Sequence, residues 1–229
     1  MKSLLEFLNE SITYTNESIL DIDKNMSDDD LKLFAAKWLS ENNSYKINID
    51  PSSITVKNGE INVDYNGNTL LILYLTDSVV LPFKLGKFDG VISVNYTKNT
   101  EIDGNNLPSE CYGILFNHVS KLKWNNAHVK IKYYSKAESP YNVFSFYKSP
   151  RAIKSLKNIT VEFVGEWSRY VKPEVRISDL KTKMMDNLTL INCKGIHVLD
   201  KIEMKEEDIQ KLKGVDYVNF RGNIINIKK

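Results

Sequence analysis

From about residue 45 the chain turns into short β-type segments with Gly and Asn at their ends, among them ITVKNGEINVDYNG, LLILYL and GVISVNY. A run this short cannot bury its apolar face alone, so the segments must be joined into a larger sheeted body. Five of them fit a pattern of aliphatic residues at offsets 0, 3 and 5, closed by a small or apolar residue. They are Phe88/Val91/Ser93/Tyr96, Val119/Leu122/Trp124/Ala127, Leu156/Ile159/Val161/Val164, Met185/Leu188/Leu190/Cys193 and Leu212/Val215/Tyr217/Phe220. Their starts differ by 31, 37, 29 and 27 residues.

A recurrence near that length is the mark of a stacked-repeat body, in which each unit contributes one short parallel strand. Gly165, Gly195 and Gly222 fall near the same place in the last three units. The 37-residue interval holds Tyr141–Tyr147 (YNVFSFY), which reads as an extra strand or a projecting hairpin.

Two helices are expected ahead of this body. In residues 3–20, Leu4, Leu5, Phe7, Leu8 and Ile12 form one apolar stripe. A second helix starts at Ser27, with Asp28, Asp29 and Asp30 in its first turn, and carries Leu31, Phe34, Ala35, Trp38 and Leu39 on one side. The domain reading is a helical segment over 1–44 and a repeat-like body over 45–229.

Two stretches resemble proteins of large tailed bacteriophages. The opening MKSLLEFLNES is similar to N-terminal segments that direct internal proteins into the capsid and are cut after a glutamate. Residues 45–90 contain Ile47, Ile49, Ile54, Val56, Gly59, Ile61 and Val63, then Leu81, Pro82, Phe83, Lys84, Gly86, Lys87 and Gly90. That order resembles the first part of phage leucine-rich-repeat-like proteins. The resemblance implies an α+β fold, N-terminal helices followed by an irregular leucine-rich-repeat-like β-solenoid. It also implies a setting in the phage virion or the host cytoplasm. The chain departs from that family where Tyr96, Ala127, Val164 and Phe220 replace the Asn expected at strand ends.

The formal charge of +2 conceals an asymmetry. Residues 1–30 carry eight acids and two lysines, whereas residues 118–157 carry nine bases and one acid, Glu138. The basic stretch also holds Trp124, Tyr133, Tyr134, Tyr141, Phe144, Phe146 and Tyr147. Basic and stackable residues interleaved in this way suit single-stranded nucleic acid. The competing reading is a strand whose lysines, Lys130, Lys132 and Lys136, line its wet face. Lys121, Lys123, Lys130, Lys132, Lys148 and Arg151 are the expected partner-binding residues.

Chemistry-bearing motifs are sparse. Cys193 and His197 stand four apart and Cys111 and His118 seven apart, spacings that do not start a zinc site. Glu162 and Glu166 are the carboxylate pair to test for glycan chemistry, but strand alternation turns Glu162 outward. No phosphate-cradling or nucleophile motif occurs, and two cysteines make no disulfide framework. Glu6 and Glu10 interrupt the first ten residues, so a secretory signal is not expected. No apolar run reaches membrane-spanning length. The expectation is a protein without catalysis or cofactor that binds another phage or host protein, with nucleic-acid binding through residues 118–157 as the alternative. The favoured partner for the basic stretch is an acidic protein, residues 1–30 of a second copy among the candidates.

Overall fold

The computed structural model describes residues 26–134, 144–149, 156–167, 172–181 and 185–228. Helix α1 (Asp28–Asn42) starts where the sequence predicts. Ser27 accepts from the Asp30 amide at 3.2 Å, and three aspartates occupy the first turn. The helix predicted over 3–20 lies outside the described residues. Phe34, Ala35, Ala36 and Leu39 of α1 are buried, and the Phe83 ring meets Phe34 and Trp38 at 6.2 and 5.5 Å. Helix and strands therefore share one hydrophobic core.

Among the described residues the remaining chain forms sixteen strands: β1 (Ile54–Lys57), β2 (Glu60–Val63), β3 (Ile72–Leu75), β4 (Lys84–Asn95), β5 (Ile102–Asp103), β6 (Glu110–Asn117), β7 (Leu122–Asn125), β8 (His128–Lys132), β9 (Phe144–Tyr147), β10 (Leu156–Lys157), β11 (Ile159–Val164), β12 (Glu174–Leu180), β13 (Leu188–Ile191), β14 (Gly195–Ile202), β15 (Tyr217–Phe220) and β16 (Asn223–Asn226). A four-residue helix, α2 (Glu206–Ile209), interrupts them late in the chain.

The expected architecture of N-terminal helices and an irregular leucine-rich-repeat-like β-solenoid is not what forms. The chain is mostly β, with a mixed sheet of 13 strands beside a parallel three-stranded sheet ordered β10-β7-β5. The physical reason lies in the two longest trunk strands. The first part of β4 pairs with β2 and its last part with β3, while the first part of β6 pairs with β8 and its last part with β9. One sheet thus forks into two limbs, β8–β11–β13 and β9–β12–β14–β15, and antiparallel hairpins close it at β1–β2 and β15–β16.

The loose aliphatic pattern marks inward-facing residues such as Leu122, Ile159, Val161, Leu188 and Leu190, but it also takes in Tyr96, Val164 and Tyr217, which face outward, and it cannot say which limb a strand joins. Ile159 and Val161 do sit parallel beside Leu188 and Leu190. Tyr217, by contrast, pairs with Gly195 in the other limb.

The fork coincides with a bulge between Phe88 and Val91. Gly90 sits there with the Leu71 carbonyl oxygen only 2.7 Å from where a Cβ would lie, and that oxygen accepts from the Val91 amide at 2.8 Å. A side chain at this position would push β3 away from β4.

Between the limbs lies an aromatic centre. Phe116 stacks on Phe146 at 4.6 Å and 7°, and Trp124 and Phe144 complete the group at 5.8 and 6.3 Å from Phe116. Of the two readings of Tyr141–Tyr147, residues 144–147 form the extra strand, β9, inside the sheet, while Tyr141–Val143 fall outside the described residues.

Gly214 joins the segment after α2 to this frame. Its φ is +77°, and a Cβ would come within 2.1 Å of the Leu190 carbonyl oxygen. Left-handed backbone and close approach both demand glycine there. Gly214→Ala is expected to lose about 1–2 kcal/mol of stability, read as a lowered urea midpoint at unchanged slope.

Candidate binding surface

Where the chain turns out of a strand it repeatedly enters the left-handed region, which costs an ordinary L-residue roughly 1–2 kcal/mol and asparagine less. One set of these corners uses the residue that backbone physics favours. Asn126 and Asn158 follow β7 and β10 with φ of 51° and 53°, and Asn158 Nδ2 donates to Asn126 Oδ1 at 3.0 Å. Asn192, φ 55°, follows β13.

A second set does not. Tyr96, His118 and Lys148 follow β4, β6 and β9 with φ of 53°, 55° and 48°. Because Asn95, Asn117 and Tyr147 are in register, these three corners stand side by side. The Tyr96 amide donates to the Asn117 carbonyl and the His118 amide to the Tyr147 carbonyl, both at 2.9 Å. The Lys148 amide donates to Ser178 Oγ at 2.7 Å.

The result is a rigid ridge of rings and cations. Tyr96 lies flat on His118 at 4.8 Å and 13°, and Tyr147 meets His118 edge-on at 6.0 Å. Lys148 Nζ stands 5.1 Å from the centre of the Tyr147 ring, and the Tyr147 hydroxyl holds its ammonium above the ordinary lysine value. Tyr96 is 60% exposed. Beside it, Asp77 accepts from the amides of Lys98, Asn99 and Thr100 at 2.9–3.1 Å, which pulls its carboxyl below the usual range and fixes the loop carrying Lys98. Lys121 Nζ donates to the Asn99 carbonyl at 3.1 Å. Arg221, another left-handed corner, closes the row beyond β14 and donates to the carbonyls of Leu199 and Asp200.

The six residues predicted from sequence do not share a face. Lys148 is on the ridge and Lys121 beside it. Lys123 lies in the three-stranded sheet, opposite Asp103. Lys130 lies on the outer side of β8 between Glu110 and Glu162 of the neighbouring strands. Lys132 Nζ is held 3.4 Å from both Asp89 and Glu110. Arg151 falls outside the described residues. The aromatics of the basic stretch are largely spent on the interior: Trp124, Phe144 and Phe146 are at most 1% exposed, and Tyr133 packs on Trp167 at 5.5 Å.

At the fork the outward charges pair with one another. Asp89 is buried at 6% exposure, with Lys132 at 3.4 Å and Lys87 at 3.8 Å. Burial raises its carboxyl above the ordinary value, against the pull of Lys132, and a hydrogen bond with Asp64 raises it further.

Neither cysteine is placed for chemistry, since burial pushes both thiols up to about 12 and both donate to backbone carbonyls. Glu162 is bound to His128 at 2.8 Å rather than to Glu166. Among the described residues no three His, Cys, Asp or Glu side chains are grouped to hold a metal ion, and no helix is long and apolar enough to cross a membrane.

Sequence reasoning missed the ridge as a site, although it left one signal. Of the four positions where the resemblance led to an asparagine, Tyr96, Ala127, Val164 and Phe220, only Tyr96 takes the left-handed backbone. Compared with known protein families, curated proteins and solved structures, the chain matches none.

Proposed function

We propose that this chain is a non-catalytic interaction protein that holds a protein partner on the ridge formed by Tyr96, His118, Tyr147 and Lys148. The observation that carries this reading is the contrast between the two sets of corners. Asparagine, the residue type that a left-handed corner favours, occupies Asn126, Asn158 and Asn192. Tyrosine, histidine and lysine occupy equally left-handed corners where the side chains reach a common surface. Strain kept in such a place is a mark of a working surface. Tyrosine and cationic side chains on a rigid frame are also what protein contacts favour, because they bring large area at little entropy loss.

A protein is favoured over nucleic acid because the basic stretch is dispersed. Lys130 and Lys132 face acids across the strands, and the ring systems that would stack bases are mostly interior. The setting proposed with this reading is the phage particle or the infected cell, which mass spectrometry of purified virions tests by finding the chain or not.

The ridge itself is tested without knowing the partner. Tyr96→Asn, His118→Asn and Lys148→Asn each put the residue suited to a left-handed corner in place, so stability is expected to hold or rise by up to about 1 kcal/mol per site. Cross-linking and affinity capture of a partner should be lost in the triple variant. Destabilisation by all three substitutions would show that the side chains serve the fold, and the reading would fall.

A further inference from the structure

The ridge carries cations that the described residues leave without carboxylates. Lys84, Lys87, Lys132, Lys181, Lys194, Lys201 and Lys211 each have a carboxylate oxygen within 4.0 Å. Lys98, Lys121, Lys148 and Arg221 form no such pair with the described residues. Asp77 beside Lys98 is occupied by three amides, and Asp200 offsets part of the charge of Lys148. From β4 to β15 the row crosses five strand spacings, in the order β4-β6-β9-β12-β14-β15. At 4.8 Å each that is about 24 Å. A flat ring, Tyr96, stands at one end, and Arg221 at the other.

The chain contains a segment of matching chemistry and length. Residues 1–30 carry eight acids against two lysines. At the helical period Glu6, Glu10, Glu17 and Asp21 fall on one side, with Tyr14 among them, opposite the apolar stripe of Leu4, Leu5, Leu8 and Ile12. In a helix, a stripe from Glu6 to Asp21 would run about 22 Å at 1.5 Å per residue. Four acids over that span would match cations spread over nearly the same distance, and Tyr14 would offer a ring to the Tyr96 platform.

We propose that the occupant of the ridge is the acidic segment around residues 6–21 of this same protein. This rests on the ridge being an interaction surface and names what it takes.

The test uses the full-length chain with Tyr96→p-benzoylphenylalanine, irradiated and digested, with attached peptides identified by mass spectrometry. The expected product joins position 96 to a peptide within residues 1–25. Mixing isotopically light and heavy chains tells whether the segment comes from the same copy or a second one, and either result supports the proposal. A companion variant, Glu10→Lys with Glu17→Lys, should lower the yield about tenfold, as should moderate salt, since the contact is between exposed charges. Cross-links only to other parts of the chain, to another protein or to added oligonucleotide, or a yield indifferent to the charge reversal, would overturn it. Failure here leaves the asparagine substitutions to decide separately whether the ridge is a binding surface.

Discussion

Phe116→Ala should lower stability by about 3–5 kcal/mol, the loss that follows when a buried aromatic side chain leaves a cavity that cannot close. Phe116 has no exposed surface and touches the rings of Trp124, Phe144 and Phe146. Those neighbours belong to β7 and β9, on two different sheets, so no single shift can fill the space. Thermal unfolding should begin roughly 10 °C earlier, in line with a few degrees per kcal/mol for a chain of this size. Phe116→Leu keeps most of the volume and should lose clearly less. A substitution that left the melting point within a degree would mean the two sheets are not joined through this aromatic centre.

The second large effect is expected at the fork. Lys132→Met removes the cation 3.4 Å from Asp89 and leaves Lys87 as its remaining neighbour at 3.8 Å. Leaving a buried carboxylate undercompensated should cost about 2–4 kcal/mol at neutral pH. Asp89→Asn should behave oppositely, being neutral or stabilising there, because burial already makes the charged form the unfavourable one.

The pH dependence follows from the same shift. The folded state holds the Asp89 proton to higher pH than the unfolded chain does. Its contribution to stability is therefore complete below the unfolded value near 3.8 and is lost as pH rises through the raised folded value. The Lys132→Met variant should accordingly recover stability as pH is lowered toward 4, and adding Asp89→Asn should abolish that recovery. Urea midpoints at several pH values measure both. A pH-independent loss in Lys132→Met would assign the effect to lost side-chain contacts instead.

Much of the local structure was determined by the sequence alone. Ser27 and three aspartates set the start of α1, because a hydroxyl and negative charge satisfy the free amides of a first turn. Alternation along Leu122–Trp124, Val129–Ile131, Ile159–Val161 and Leu188–Leu190 marked the inward-facing side chains, because a strand turns successive residues to opposite faces. The same rule placed Lys130 outward.

Only the tertiary structure decided how the strands are joined. Whether Val161 meets Leu190 or Tyr217, and that β4 and β6 each serve two neighbours, depends on a bulge at Asp89–Gly90 and on how long strands divide their edges. Hydrophobic spacing carries no information on either.

The ridge belongs to the same class. Tyr96, His118 and Lys148 are 22 and 30 residues apart in a sequence that gives no reason to group them. They become neighbours because three parallel strands end in register and each chain turns through the same left-handed corner. The lysines of residues 118–157 show the converse. Nearness in sequence promised one basic surface, but successive strands carried the side chains to different sheets and set acids between them.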